Sequence, residues 1–160
     1  MTRLCWLAFA TVLSACGYTF GSGMERLGVR TVALQVVAND TYRQRLEVDL
    51  SSALSRELPV TTELALADRR EADATLQVTL TDARETTLVN GNRLSPVREG
   101  ALESAIWMRL IDRDGRTLLE RRLVDRTEFR SPIGEDLTSA RGELVEDLAR
   151  KIALALESDF

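Results

Sequence analysis

The sequence predicts an α/β fold, a two-layer sandwich in which two amphipathic helices pack on one face of a mostly antiparallel sheet of about four strands. Three observations carry this. Ala74, Leu76, Val78 and Leu80 alternate with Thr75, Gln77, Thr79 and Thr81, the period of a strand with one apolar and one wet face. Asn90-Gly91 and Asp114-Gly115 punctuate that region as hairpin turns do, because these residues tolerate positive φ. Apolar residues recur with helical spacing in two places, before and after the strands. One sheet with a single apolar face and two one-sided helices bury their apolar surface together as two layers.

In chain order, Thr31 to Val37 alternates, with Val32, Leu34 and Val36 on one face, and ends at the turn signal Asn39-Asp40. The period then becomes helical from Thr41 to Leu58. Tyr42, Leu46, Leu50, Ala53 or Leu54, and Leu58 form a stripe, Asp40 or Thr41 caps it and Pro59 stops it. A short strand is expected around Val60 to Leu64, then a charged connector over Asp68 to Glu71. Three long antiparallel strands follow. The first runs from Ala74 to Val89 and the second returns through Val97 to Ile111, where Ile106, Met108 and Leu110 repeat the alternation. The third spans Thr117 to Phe129. Leu137, Ala140, Leu144, Leu148, Ile152 and Leu156 then make the second helical stripe.

The first residues have a different character. Arg3 precedes an apolar run from Leu4 to Val12, too short for the roughly 20 residues of a membrane span, and Leu13-Ser14-Ala15-Cys16 follows. Basic start, apolar stretch and small residues before a cysteine are the parts of a bacterial lipoprotein signal peptide. We therefore expect residues 1–15 to be removed, Cys16 to be acylated, residues 16–28 to be a glycine-rich lipidated tether, and 29–160 to form one domain. Several buried acyl chains, at about 0.8 kcal/mol per methylene, hold a protein on a membrane durably. Gly17 rather than aspartate after the cysteine leaves outer-membrane delivery as the expected sorting.

Composition narrows the chemistry. The net charge of −4 becomes −5 when Arg3 leaves with the signal peptide, so no broad affinity for nucleic acid is expected. There is no histidine, and of the two cysteines Cys5 is removed and Cys16 carries lipid. The usual general base, the commonest metal ligand and the thiol nucleophile are thereby missing. Lys151 is the sole lysine and lies on a helix face, as do Glu143, Glu146 and Asp147, where solvated positions are expected. Asp112-Arg113-Asp114-Gly115 opens like a calcium loop, but Leu123 stands at the twelfth position where glutamate is required. No enzyme activity, no metal and no cofactor are expected.

The order of features resembles one family, the lipopolysaccharide-assembly lipoproteins LptE. The residues that carry the resemblance are Cys16-Gly17-Tyr18-Thr19-Phe20, Val32-Ala33-Leu34 leading to Asn39-Asp40-Thr41, the amphipathic Leu46 to Leu58, Ala72-Asp73-Ala74-Thr75-Leu76 and the Asn-Gly hairpin. The resemblance implies a lipid-anchored protein on the periplasmic face of the outer membrane. Such a protein would plug and help assemble the β-barrel LptD, and could contact lipopolysaccharide. Residues implied for that ligand are Arg93 and Arg98 at the hairpin, Arg84 down the strand and Arg130 in the later loop. The chain departs from the family pattern where Val89 stands before Asn-Gly and where Glu135 and Asp136 follow Arg130. Each arginine is also explicable as a solvated charge. A different periplasmic lipoprotein, such as a cell-wall synthase activator or a secretion-channel subunit, is the alternative.

Overall fold

A computed structural model describes residues 24, 27–43, 45–91, 97–130 and 136–157, with 97 and 98 described by backbone alone. Cys16, Arg93 and the tether before Met24 lie outside the described residues. The elements are β1 (Thr31–Leu34), β2 (Ala38–Asn39), α1 (Leu46–Thr61), β3 (Ala65–Leu66), β4 (Ala74–Asn90), β5 (Val97–Asp112), β6 (Thr117–Arg130) and α2 (Leu137–Glu157).

The two-layer α/β arrangement is as expected, but the sheet is mixed and six-stranded rather than antiparallel with about four strands. Its order is β3-β1-β4-β5-β6, with β2 also paired to β4. β1 runs parallel to both β3 and β4, and β2 runs parallel to β4. The reason is connectivity. α1 crosses over between β1 and its neighbours and returns the chain in the same direction, which is how parallel strands are joined. β4, β5 and β6 are antiparallel, as the two hairpin signals require.

The core lies between the sheet and the helices. Val32, Ala74, Leu76, Val78, Leu80, Ile106, Met108, Leu110 and Leu119 meet Leu50, Leu54 and Leu58 of α1 and Leu144, Leu148, Ile152 and Leu156 of α2. Met24 is buried among them, and its carbonyl accepts the N–H groups of Leu27 and Val29. The packed body therefore reaches back into the segment expected to be tether.

Several local expectations are corrected. Val36 is 73% exposed and Val37 3%, so the early strand does not alternate through to its end. The chain leaves the ladder after Gln35, whose N–H still reaches the Leu76 carbonyl, and one inserted residue turns Val37 inward. Ser51 Oγ accepts the Val37 N–H at 3.0 Å. Tyr42 is fully exposed instead of sharing the helical stripe, because the helix begins only at Leu46. Neither Asp40 nor Thr41 caps it. Asn39 organises the preceding turn, accepting from the Thr41 N–H and hydroxyl and donating to the Arg43 carbonyl and the Glu47 carboxylate. Arg45 then enters the left-handed region at φ 72° before the first helical residue.

Pro59 lies inside α1 rather than ending it. Proline removes one donor near the helix end, where the freed carbonyl belongs to exposed Ser55 and water can satisfy it. The turn is closed instead by the Thr62 N–H and hydroxyl, both on the Leu58 carbonyl. Val60 is consequently helical and exposed, and the short strand falls at Ala65–Leu66, after the Val60 to Leu64 where it was expected. α2 has a more regular start. Asp136 accepts the N–H groups of Thr138 and Ser139, while the Ser139 hydroxyl takes the Asp136 N–H, a reciprocal cap.

Candidate functional surface

Both helices occupy one face of the sheet, so the opposite face of β4, β5 and β6 is bare among the described residues. Alternation puts polar side chains there, and they are joined across strands. Gln35 accepts from Gln77, Gln77 from Arg109 at 3.4 Å, and Glu120 accepts the Trp107 indole N–H at 2.9 Å with Arg109 Nε 4.0 Å away. Trp107 is 40% exposed in the middle of this network. Further along the strands, Glu103 pairs with Arg84 at 2.9 Å and with Arg126 at 3.4 Å, and Arg126 also meets Glu128 at 2.9 Å. Arg130 lies 3.7 Å from Glu99.

Arg84 and Arg130 thus share the bare face, but the structure does not converge them. Their partners Glu103 and Glu99 are four residues apart on β5, about 14 Å of strand, and each guanidinium faces its own carboxylate. Arg98 belongs to β5, and Arg93 is outside the described residues. Exposed ion pairs of this kind contribute only about 0–1 kcal/mol each, so their charges remain exchangeable for other anions. Trp107, Arg109, Glu103 and Arg126 were not singled out by sequence. Their signal was there, since residues between Ile106, Met108 and Leu110 must face the other way.

At the end of the sheet nearest β1, Asp73 ties two strands together. Its carboxylate accepts the Arg30 and Thr31 N–H groups and the Thr31 hydroxyl at 2.9–3.1 Å, and meets Arg113 at 3.1 Å. Arg113 also donates to the carbonyls of Glu71 and Ala72. The Thr31 hydroxyl, then the backbone donors of Arg30 and Thr31, then the Arg113 charge hold the Asp73 carboxyl below its ordinary pKa. Glu47 is lowered by its own backbone N–H and the Asn39 amide, and Asp112 chiefly by the Arg116 N–H. Asp112 thereby locks the β5–β6 hairpin, with Gly115 at φ 84°.

A carboxyl whose pKa is depressed on folding stabilises the native state above its unfolded value of about 4 and loses that contribution as pH falls through the lower folded value. The wild type should therefore lose stability as pH drops below about 4. Asp73→Asn should show a shallower acid slope, and at neutral pH a loss of about 1 kcal/mol, small because the site is partly exposed. Urea unfolding at a series of pH values checks this. Equal slopes for both proteins would remove Asp73 from the account.

Lys151 donates to the Val124 carbonyl at 3.1 Å and to Asp125 at 2.6 Å, joining α2 to the free side of β6. Among the described residues, no group of three or more histidine, cysteine, aspartate or glutamate side chains could hold a metal ion. None of the described helices is long and apolar enough to cross a membrane. The described surface carries open grooves. One of about 410 Å³ runs between Arg45, Asp49, Ser52 and Arg56 of the α1 region and Thr138, Arg141, Gly142 and Glu146 of α2. Asp49 and Arg141 bridge it at 2.8 Å.

No protein-family model matches this chain, and no curated protein matches it. Solved structures do resemble it. The hypothetical protein CT253 from Chlamydia trachomatis superposes with a TM-score of 0.60 at 13% identity, covering 81% of this chain and 96% of its own. The PelC dodecamer from Paraburkholderia phytofirmans gives 0.55 at 18% identity, covering 81% and 90%. Uncharacterized lipoprotein B from Nitrosomonas europaea gives 0.52 at 17% identity, covering 78% and 80%. At these identities the likeness establishes a shared fold: this chain is similar in architecture to a set of bacterial proteins that includes lipoproteins.

Proposed function

We propose that this chain is a lipoprotein, anchored through Cys16 on the periplasmic face of the outer membrane. In this reading it serves without catalysis as plug and assembly partner of an LptD β-barrel in lipopolysaccharide export. The observation that carries the reading is Leu13-Ser14-Ala15 followed directly by Cys16-Gly17-Tyr18-Thr19-Phe20, joined to a two-layer α/β domain. The bare sheet face supports it. A barrel lumen is lined by polar groups, and a face on which cross-strand ion pairs and amides surround the exposed Trp107 and Val124 is mostly polar toward such a wall. A protein of similar fold, uncharacterized lipoprotein B, carries the name of a lipoprotein.

Contact with lipopolysaccharide phosphates, within this reading, uses Arg84 and Arg130 by exchange of Glu103 and Glu99, together with Arg93 and Arg98. The test is recovery of the tagged chain from detergent-solubilised envelopes. A large β-barrel protein recovered in near-equal amount is expected, and recovery of the chain alone would refute the partnership. Depletion supplies the second arm. Loss of surface lipopolysaccharide is expected, whereas a cell-shape defect with normal export would favour another periplasmic role.

A further inference from the structure

We propose that the free edge of the sheet is a self-pairing surface, on which two copies of this chain associate with their β6 strands antiparallel and Asp125 opposite Asp125. Pairing belongs to the free chain and stands whether or not a barrel is its partner. β6 is a 14-residue strand that pairs with β5 on one side and with no strand on the other among the described residues. The opposite edge, β3, has two residues. Such a long free edge presents unpaired backbone donors and acceptors and is a template for strand addition. The Val124 carbonyl points that way: it accepts from Lys151, and Ala105 opposite it on β5 turns its own carbonyl to β4, where it accepts the Thr81 hydroxyl. In an antiparallel strand alternate residues share that direction, so the even positions of β6 point off the sheet.

Those even positions also carry the row of side chains on the bare face, Glu120, Arg122, Val124, Arg126, Glu128 and Arg130, all exposed. Read as charges, the row is self-complementary in one register. With Asp125 on the two-fold axis, Glu120 faces Arg130 of the second copy, Arg122 faces Glu128, and Val124 faces the aliphatic stem of Arg126. Each contact is repeated by symmetry, as an isologous interface demands. Centring the axis on Val124 instead sets Glu120 against Glu128 and Arg122 against Arg126. Centring it on Arg126 sets Arg122 against Arg130 and Arg126 against itself. Like charges directly opposite destabilise a strand pair, so both neighbouring registers are rejected.

Arg122 is informative here. Glu120, Arg126, Glu128 and Arg130 each have an oppositely charged group within 4.0 Å in the single chain, whereas Arg122 has no ion pair among the described residues. The proposed register supplies one, Glu128 of the second copy. The two Asp125 carboxylates that meet at the axis are each already neutralised by their own Lys151 at 2.6 Å. A carbonyl oxygen accepts two hydrogen bonds, so Lys151 need not leave Val124 for a new strand to pair there.

The experiment is sedimentation of the full chain in neutral detergent over a concentration series, at low and high salt. A dimer that weakens with salt is expected. Arg122→Glu and Glu128→Arg each turn two attractions into two repulsions and should weaken association roughly tenfold or more. The double variant restores opposite charges on both sides of the axis and should recover the dimer. Arg122→Gln, which only removes the attraction, should fall between wild type and Arg122→Glu. A wild type that stays monomeric throughout at low salt overturns the proposal. So does a dimer indifferent to the single substitutions, or a folded double variant that fails to recover.

Discussion

Replacing Leu148 by alanine should lower the free energy of unfolding by about 2–5 kcal/mol. Leu148 is fully buried in the apolar stripe of α2, the helix that packs on α1, β5 and β6 at once. Truncation there removes the transfer contribution of the lost methyl and methylene groups and leaves a cavity that three elements must collapse around. Against a typical total of about 5–15 kcal/mol, this takes a large share of the stability. Leu154, on the same helix but 53% exposed, is the control. Its replacement by alanine should stay within about 0.5 kcal/mol. Urea titration of both variants at neutral pH measures the contrast. Similar losses at the two positions would mean that α2 does not bury the face described.

Replacing Cys16 by serine should abolish fatty-acid incorporation altogether and leave the chain as the longer, uncleaved precursor. Acylation needs the thiol, and no other cysteine follows position 16. Labelled palmitate and gel mobility report the two effects separately. The folded domain should be unaffected, since its described core residues run from Met24 onward, so the midpoint of urea unfolding is the internal control. Label retained on the variant would remove Cys16 from its assigned role. Loss of label together with loss of folding would show instead that the cysteine matters to the domain. Neither result bears on strand pairing at β6, which depends on residues 120–130.

Much of the fold was legible because it is written in local periodicity. The alternation from Ala74 to Leu80 reports the buried face of β4, and Leu144, Leu148, Ile152 and Leu156 report that of α2. In both cases one side chain in two, or one in three or four, must leave water, and nothing nearby in sequence competes. Asp114-Gly115 marked its turn for an equally local reason, a positive φ at Gly115.

What failed was set by partners distant in sequence. Whether Val36 or Val37 turns inward depends on where β1 leaves β4 and on Ser51, fourteen residues away, accepting the Val37 N–H. Tyr42 fits a helical stripe in projection, but the Asn39 turn delays the helix past it. Parallel pairing of β1 with β3 and β4 carries no local mark, since the same alternation serves either direction. The bare face followed the same division. Polarity at Gln77, Arg109 and Glu120 could be read one residue at a time, whereas their network depends on cross-strand register.

By itself, then, the sequence determined the apolar faces of β4 and α2 and where the β5–β6 hairpin turns, and it fixed the absence of histidine. The lipid anchor expected at Cys16 likewise rests on sequence alone. Only the tertiary structure decided that the sheet is mixed, that Arg84 and Arg130 face separate carboxylates four residues apart on β5, and that β6 ends the sheet as a long edge among the described residues. The physical reason is that periodicity is a property of neighbours within a few residues, while strand direction, ion pairing and edges arise from contacts between residues tens of positions apart.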